Sequence, residues 1–286
     1  MYSKILVPLD GSQLSETILP YARTIADALK APVELLAAIE PSLLSAKGQT
    51  DPQKANLDYL NRVATSFREP KSVISSVEIG NPADVIVDKV SMQPDTLITM
   101  STRGRSGIQR WMMGSVADKV LHATTSPLLF LRGETDSKTS GEATLSKVLV
   151  PLDGSPFAEK ALPHVVELAT KIMMEVVLVR APAAPRAAFV EQESDPAFQQ
   201  IAKEIIKETQ TYLEARVKEL QAKGLKVSYL LLEGEAAGEI IDLARKTPDN
   251  LIAICTHGWS GIGRWILGNV TERVVHHSGD PVLIIR

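Results

Sequence analysis

Hydrophobic residues along the chain fall into short runs that alternate with longer amphipathic stretches. The short runs are too brief for helices and predict buried strands, whereas the amphipathic stretches predict helices. In the first half we predict strands near 4–9, 33–39, 72–79, 96–100 and 127–131 and helices near 14–30, 53–68, 83–92 and 115–124. Alternation of this kind is typical of a doubly wound α/β domain, in which helices cover both faces of a parallel sheet.

The chain also repeats itself. Lys4–Ser12 returns as Lys147–Ser155 with eight of nine residues identical, at an offset of 143. Thr102–Gly114 returns as Thr256–Gly268, at an offset of 154. Repeats of domain size indicate duplication, since the units of a solenoid are much shorter.

The duplication predicts two tandem five-stranded domains, residues 1–132 and 144–286, joined by a polar linker at 133–143. The offset grows from 143 to 154, so the second copy has gained 11 residues. A longer helix near 197–223 accounts for much of this gain.

Charge and cysteine content exclude several classes of protein. The 286 residues include 31 basic and 34 acidic side chains, a formal net charge of −3, so no overall field attracts nucleic acid or an anionic membrane. The single cysteine, Cys255, cannot form an intrachain disulfide. No apolar run approaches the ~18 residues of a membrane helix. We therefore expect a cytoplasmic protein with neither nucleic acid nor membrane as a partner.

Each copy places a proline and an aspartate where its first strand ends, Pro8 and Asp10 in one and Pro151 and Asp153 in the other. Doubly wound sheets bind ligands outside the carboxyl ends of their strands, so these carboxylates are candidate ligand groups. The alternative is an Asx turn, in which the aspartate accepts hydrogen bonds from nearby backbone. The two interpretations are compatible.

Each copy also carries a glycine loop after its fourth strand. Gly104 precedes Gly114-Ser115 by nine intervening residues, and Gly258 precedes Gly268-Asn269 in the same way. Glycines admit close approach of backbone N–H groups to an anion, and a helix N-terminus favours negative charge. The loops therefore predict a phosphate cradle, with helix capping by Ser115 or Asn269 as the alternative. Neither G-x4-G-K-[ST] nor a correctly spaced G-x-G-x-x-G occurs in the sequence.

Together, the V-P-L-D-G-S strand end, the G-x9-G-[SN] loop and the closing [SD]-P-[LV]-[LV]-x-[LV]-R strand resemble the universal stress protein family. The resemblance covers nearly the whole chain as two tandem domains. It implies ATP bound near the first-strand aspartate, with Mg²⁺ expected as counter-ion of the phosphates. It also implies that the two halves form an intrachain pseudo-dimer through their last strands.

The family pattern places further residues in the pocket. Its first glycine is replaced by Ser101 and Cys255, which would bring a Cβ close to the ribose. The position whose main chain contacts adenine corresponds to Ala38 and, by the 143 offset, to Ala181.

Other residues have an ordinary structural explanation beside a functional one. Cys255 ends an apolar run, which favours a packing role over redox sensing. The glycine loops carry cations that could face phosphates or solvent: Arg103, Arg105, Arg110, His257 and Arg264. We expect Trp111 and Trp265 to anchor the loops by packing. His276 and His277 lie near a helix C-terminus, and the sequence shows no third metal ligand beside them.

These observations predict a stress-response protein that binds adenine nucleotide and acts as a nucleotide-dependent regulator, with a protein partner of unknown identity. No residue is assigned a catalytic or metal-binding role. The alternatives are a slow ATP hydrolase and a structural or partner-binding module without nucleotide. Because Arg103 and Arg105 are fully charged at neutral pH and His257 is mostly neutral, we expect both halves to bind and the first to bind more tightly.

Overall fold

The computed structural model describes residues 2–42, 51–93, 95–104, 113–133, 139–182, 196–256 and 268–286. The strands are β1 (Lys4–Pro8), β2 (Val33–Ile39), β3 (Val73–Ile79), β4 (Thr96–Ser101), β5 (Leu128–Leu131), β6 (Lys147–Pro151), β7 (Glu175–Arg180), β8 (Val227–Leu231), β9 (Asn250–Cys255) and β10 (Val282–Ile285). The helices are α1 (Gln13–Glu16), α2 (Leu19–Leu29), α3 (Pro52–Ala64), α4 (Pro82–Ser91), α5 (Ser115–Ala123), α6 (Ala161–Ile172), α7 (Pro196–Gln221), α8 (Ala236–Lys246) and α9 (Asn269–His277).

The described strands form one ten-stranded sheet in the order β3-β2-β1-β4-β5-β10-β9-β6-β7-β8. Strands within each half are parallel, and strand order reverses beside β1 and beside β6. This topology confirms the predicted fold class, two tandem doubly wound domains. The closing strands β5 and β10 lie side by side and antiparallel, with Leu129 opposite Leu283.

One predicted helix is wrong. The stretch near 14–30 is divided into α1 and α2, because Pro20 lies in the first turn of α2. Proline has no N–H to continue a preceding helix but fits the first turn of a new one. In the second half, a 3₁₀ turn at Ala158–Lys160 takes the place of α1.

Both faces of the sheet are buried under helices. Alternate residues of a strand point to opposite faces, so Ile5 and Val7 of β1 join one hydrophobic cluster and Leu6 joins the other. The first cluster includes residues of α2, α3, α6 and α7, and the second includes residues of α4, α5, α8 and α9. We call these the α2 face and the α5 face.

Contacts between the halves continue outside the sheet. The Tyr2 hydroxyl lies 2.7 Å from His164 Nδ1 on α6. The end of the predicted linker is held by Arg23, a buried α2 residue that donates to the carbonyl oxygens of Thr139 (3.0 Å) and Gly141 (2.7 Å). The same guanidinium donates to Ser66 Oγ. The linker residues after 138 are therefore attached to the first half.

Candidate functional site

A cavity of ≈ 350 Å³ opens at the carboxyl ends of β1, β2 and β4, against the first turn of α5. It lies where the strand order reverses, the usual ligand position in such sheets. The predicted first-half site residues all line it: Pro8, Asp10, Ala38, Ser101, Gly104, Gly114 and Ser115. The structure therefore brings together residues that the sequence separates by more than a hundred positions.

One wall of the cavity is apolar, formed by Leu36, Ile86, Met100 and Val116. Beside this wall, the Leu9 N–H donates to the Leu36 carbonyl, while Gly80 N–H donates to the Ile39 carbonyl on the other side of β2. Peptide groups of successive strand residues point to alternate neighbours, so the N–H and C=O of Ala38 point toward β1, beyond the end of that strand. An apolar slot with a backbone donor and acceptor at its edge suits a flat heterocycle.

Asp10 serves a turn and the cavity at once. Its Oδ1 accepts hydrogen bonds from the Ser12 N–H (2.9 Å) and hydroxyl (2.6 Å), and the Ser12 hydroxyl in turn accepts from Ser15 N–H to cap α1. The Asx-turn interpretation is thus correct for Oδ1. Oδ2 lies against Gly104, where a Cβ would overlap it. A glycine at position 104 is what allows the carboxylate to occupy this place.

The first turn of α5 has no side-chain cap. Gly114 is the N-cap residue, so Ser115 is the first helical residue and the capping alternative for its hydroxyl is wrong. The Gly114 N–H already donates to the Thr102 carbonyl at 2.8 Å. Donors for an anion must therefore come from residues 115–117, whose N–H groups precede the first intrahelical bond, Asp118 to Gly114.

The side chains at the first motif position project to the α2 face of the sheet. Met100 belongs to the α5 face, so Ser101 points to the α2 face, where its hydroxyl accepts from Arg103 N–H at 3.3 Å. The Ser101 hydroxyl is therefore directed to the face opposite the apolar wall that Met100 helps to form. Cys255 likewise joins the α2-face core and donates to the Ala158 carbonyl at 3.4 Å.

Burial raises the pKa of the Cys255 thiol to about 12. A reactive cysteine needs a lowered pKa to supply thiolate at neutral pH. The packing role predicted for Cys255 agrees with this environment.

The cavity contains charged groups of both signs. Arg103 lines it beside Gly104, and Glu40 lies at the end of β2. The sequence did not suggest Glu40, although its place two residues after Ala38 could have indicated it. Arg105, Arg110, Trp111, His257, Gly258, Arg264 and Trp265 lie outside the described residues.

The second half repeats the described parts of this arrangement. Asp153 Oδ1 accepts from Ser155 N–H at 2.8 Å. Pro151 ends β6 as Pro8 ends β1, and Ala181 follows the last residue of β7 at the position that aligns with Ala38. The N-cap of α9 is Gly268, whose N–H donates to the Thr256 carbonyl at 2.7 Å, and Asn269 is the first helical residue.

One difference between the halves lies next to the glycine loop. Thr271 donates its hydroxyl to the Cys255 carbonyl at 2.7 Å, whereas the corresponding residue of α5 is Ala117. A side-chain donor therefore occupies the β9 end in the second half, and the equivalent place in the first half is lined by a methyl group.

The sequence did not lead us to two equivalent tyrosine–glutamate hydrogen bonds near the first strand of each half. The Tyr59 hydroxyl donates to Glu16 Oε1, and the Tyr212 hydroxyl donates to Glu159 Oε1, both at 2.8 Å. These equivalent bonds tie α3 and α7 to the turns that follow Asp10 and Asp153. Alignment of the two copies through their central helices would have paired the tyrosines.

Two histidines near the end of α9 remain without a ligand role. Burial, followed by His276 and Arg132, lowers the pKa of His277, which opposes the cationic form that a helix C-terminus would favour. Among the described residues, no group of three or more His, Cys, Asp or Glu side chains is placed to hold a metal ion.

Comparison with known proteins gives a consistent result. The profile of the Universal stress protein family matches residues 1–132 and 144–286. A universal stress protein of Methanocaldococcus jannaschii is 30% identical over 147 residues, 51% of this chain and 85% of that protein. One from Mycolicibacterium smegmatis is 22% identical over 300 residues, covering 99% of this chain and 96% of its own.

The fold is similar to that of a solved universal stress protein from Archaeoglobus fulgidus, with a TM-score of 0.71 at 19% identity, covering 100% of this chain and 99% of the other. In the described part of the chain, no helix combines the length and apolar character needed to cross a bilayer.

Proposed function

The chain belongs to the universal stress protein family, and on that premise we propose that it binds ATP and acts as a nucleotide-dependent regulator. The observation that supports this most strongly is the first-half cavity, which combines an apolar slot, a carboxylate and an uncapped helix N-terminus. Its volume, ≈ 350 Å³, lies within the range of small-molecule sites. ATP is a cytoplasmic metabolite, so the cytoplasm is the compartment we propose.

Each part of the nucleotide has a matching chemical group in the cavity. The adenine ring would enter the apolar slot and meet the Ala38 N–H and C=O. The ribose hydroxyls would donate to Asp10, whose carboxylate is held in place by Ser12. The phosphates would accept from the free first-turn N–H groups of α5, assisted by its dipole and by Arg103.

Mg²⁺ suits the same cavity. Arg103 is the one cationic side chain among the described lining residues, so a triphosphate would keep uncompensated charge. Asp10 and Glu40 supply carboxylate oxygens, which Mg²⁺ prefers alongside phosphate oxygens. The metal would neutralise phosphate charge.

The residues that line the cavity are better suited to binding ATP than to hydrolysing it. Hydrolysis needs a base or a positioned water beside the terminal phosphate. The described lining residues offer Asp10 and Glu40 as bases, and Asp10 is committed to its turn through Oδ1. Slow hydrolysis and a module without nucleotide are the two other outcomes that an experiment can return.

The direct test is chemical. Protein purified without added nucleotide is denatured, and the supernatant is separated by anion-exchange chromatography. Nucleotide-free protein is then titrated calorimetrically with ATP and with GTP in the presence of Mg²⁺. We expect released adenine nucleotide, saturable ATP binding and weaker GTP binding. Absence of both released nucleotide and binding heat would favour the partner-binding module, whereas released phosphate that accumulates with time would favour the hydrolase.

A further inference from the structure

Arg180, the last residue of β7, lies against an aromatic ring and a glycine. Its guanidinium carbon lies 5.1 Å from the centroid of the Tyr212 ring on α7. The guanidinium also lies close to Gly154, where a Cβ would be 2.8 Å from Nη1 and 3.1 Å from Cζ. Gly154 also has φ +88°, a backbone conformation that favours glycine.

Among the described residues, none accepts a hydrogen bond from this guanidinium or forms an ion pair with it. Glu159, the carboxylate bonded to Tyr212, is already engaged by the Tyr212 hydroxyl at 2.8 Å and by Arg216 at 3.6 Å. Burial raises the pKa of the Tyr212 phenol, which keeps that hydroxyl protonated as a donor. Within the described part of the chain, the guanidinium of Arg180 is therefore in contact with no acidic side chain.

The first half shows that the arginine is not needed to hold this part of the fold. Equivalent backbone bonds, Leu9 to Leu36 and Leu152 to Val179, align Arg180 with Ala37. Ala37 is buried and apolar, yet the Tyr59–Glu16 bond forms beside it just as Tyr212–Glu159 forms beside Arg180. The cation is an addition in the second half.

Arg180 also lies apart from the proposed nucleotide residues. Val179 packs in the α5-face cluster and Ala181 packs against it, so the side chain between them projects to the α2 face. The nucleotide cavity of the first half lies on the α5 face.

We propose that Arg180 is the centre of an oxyanion-binding site specific to the second half, which takes a phosphate or carboxylate group of a ligand. A guanidinium donates two parallel hydrogen bonds to such groups. Contact with Tyr212 and Gly154 restricts its orientation before the ligand arrives, which lowers the entropic cost of binding. The site is independent of the proposed nucleotide function.

The test follows the Arg180 Nε–Hε resonance by ¹⁵N–¹H NMR in the full chain, assigned by its absence from Arg180→Gln. Inorganic phosphate and acetate are the two probes, each added at constant ionic strength with chloride as the reference anion. Arg245→Gln is the matched control, because it removes one charge from an exposed arginine of the same half that is already paired with Asp242 at 3.3 Å.

We expect a saturable shift with phosphate or acetate and none with chloride, and the stronger probe identifies the class of oxyanion. The Gly154 amide, observed in every variant, should follow the same titration in the Arg245→Gln protein. The affinity for the probe that is measured at the Gly154 amide should fall at least tenfold, about 1.4 kcal/mol, in Arg180→Gln and by a smaller factor in Arg180→Lys. Unsaturable shifts, or Gly154 titrations that are unchanged in folded Arg180→Gln, would overturn the proposal and leave Arg180 as a packing residue.

Discussion

At the scale of single residues, the position of the Asp10 carboxylate depends on the missing side chain at Gly104. A Cβ there would overlap Asp10 Oδ2, so Gly104→Ala should turn the carboxylate away from the ribose position. We expect ATP affinity to fall at least tenfold, about 1.4 kcal/mol, by calorimetry.

Gly279→Ala is the control for this substitution, because no atom lies within 4 Å of where its Cβ would be. That variant should bind ATP like the wild type. Undiminished affinity in Gly104→Ala would remove Asp10 from the proposed ribose contact.

Cys255 gives a second prediction from one residue. Burial raises the pKa of its thiol to about 12, so thiolate should be scarce at pH 8 in the native protein. Iodoacetamide should modify native Cys255 far more slowly than the same residue in urea, as followed by intact mass. Native modification at the rate of an ordinary exposed cysteine would show that this residue is accessible and open to redox chemistry.

At the scale of elements, a negative charge at the N-terminus of α5 should have opposite effects on helix stability and on ATP affinity. Ser115→Asp places a negative charge in the first turn, which stabilises a helix by about 0.3–1 kcal/mol. The same charge would repel phosphates bound at the free N–H groups. We therefore expect a stability that is unchanged or higher, with ATP affinity at least about tenfold lower.

The neutral Ser115→Asn variant, which copies Asn269 of α9, is the control for shape. It should retain affinity within about threefold. Equal losses in the two variants would indicate a steric effect and count against the phosphate cradle.

The element scale also shows what a sequence of this kind can predict. Strand positions were accessible because buried parallel strands are continuous apolar runs, and β2 follows its prediction at 33–39. The division of α1 from α2 was also accessible, since Pro20 is visible in the sequence. Strand alternation from Met100 would have placed Ser101 on the α2 face.

Other parts of the site depend on contacts between distant residues. The hydrogen bond from the Gly114 N–H to the Thr102 carbonyl depends on the path of the backbone between the two residues. The attachment of Thr139 and Gly141 by Arg23 joins residues more than a hundred positions apart. Propensity and periodicity are local and carry no information on such pairs.

At the scale of the whole molecule, the contact between Tyr2 and His164 should make stability depend on pH. Burial is the main cause of a lowered pKa for His164, aided by the N-terminal ammonium and opposed by Glu167. The Tyr2 phenol pKa is raised by burial, so Tyr2 keeps its hydroxyl proton beside Nδ1 of the neutral imidazole.

Because the folded pKa of His164 lies below its unfolded value of about 6.5, the unfolded state binds the proton first. The contribution of neutral His164 to the free energy of unfolding is complete above about pH 6.5. It is lost as pH falls below that value, at no more than about 1.4 kcal/mol per pH unit. Urea unfolding at several pH values measures this slope. His164→Gln keeps an acceptor without a titrating group, so its slope should be smaller, and an unchanged slope would assign the acid sensitivity to other histidines.

The most direct measurement locates ATP on the molecule. In ¹⁵N–¹H spectra of the full chain titrated with Mg-ATP, the amides of residues 115–117 and of Ala38 should shift together with one saturation curve. All four residues line the first-half cavity, so joint saturation would place one nucleotide in it. Saturable ATP binding that leaves all four amides unchanged would contradict nucleotide binding in this cavity.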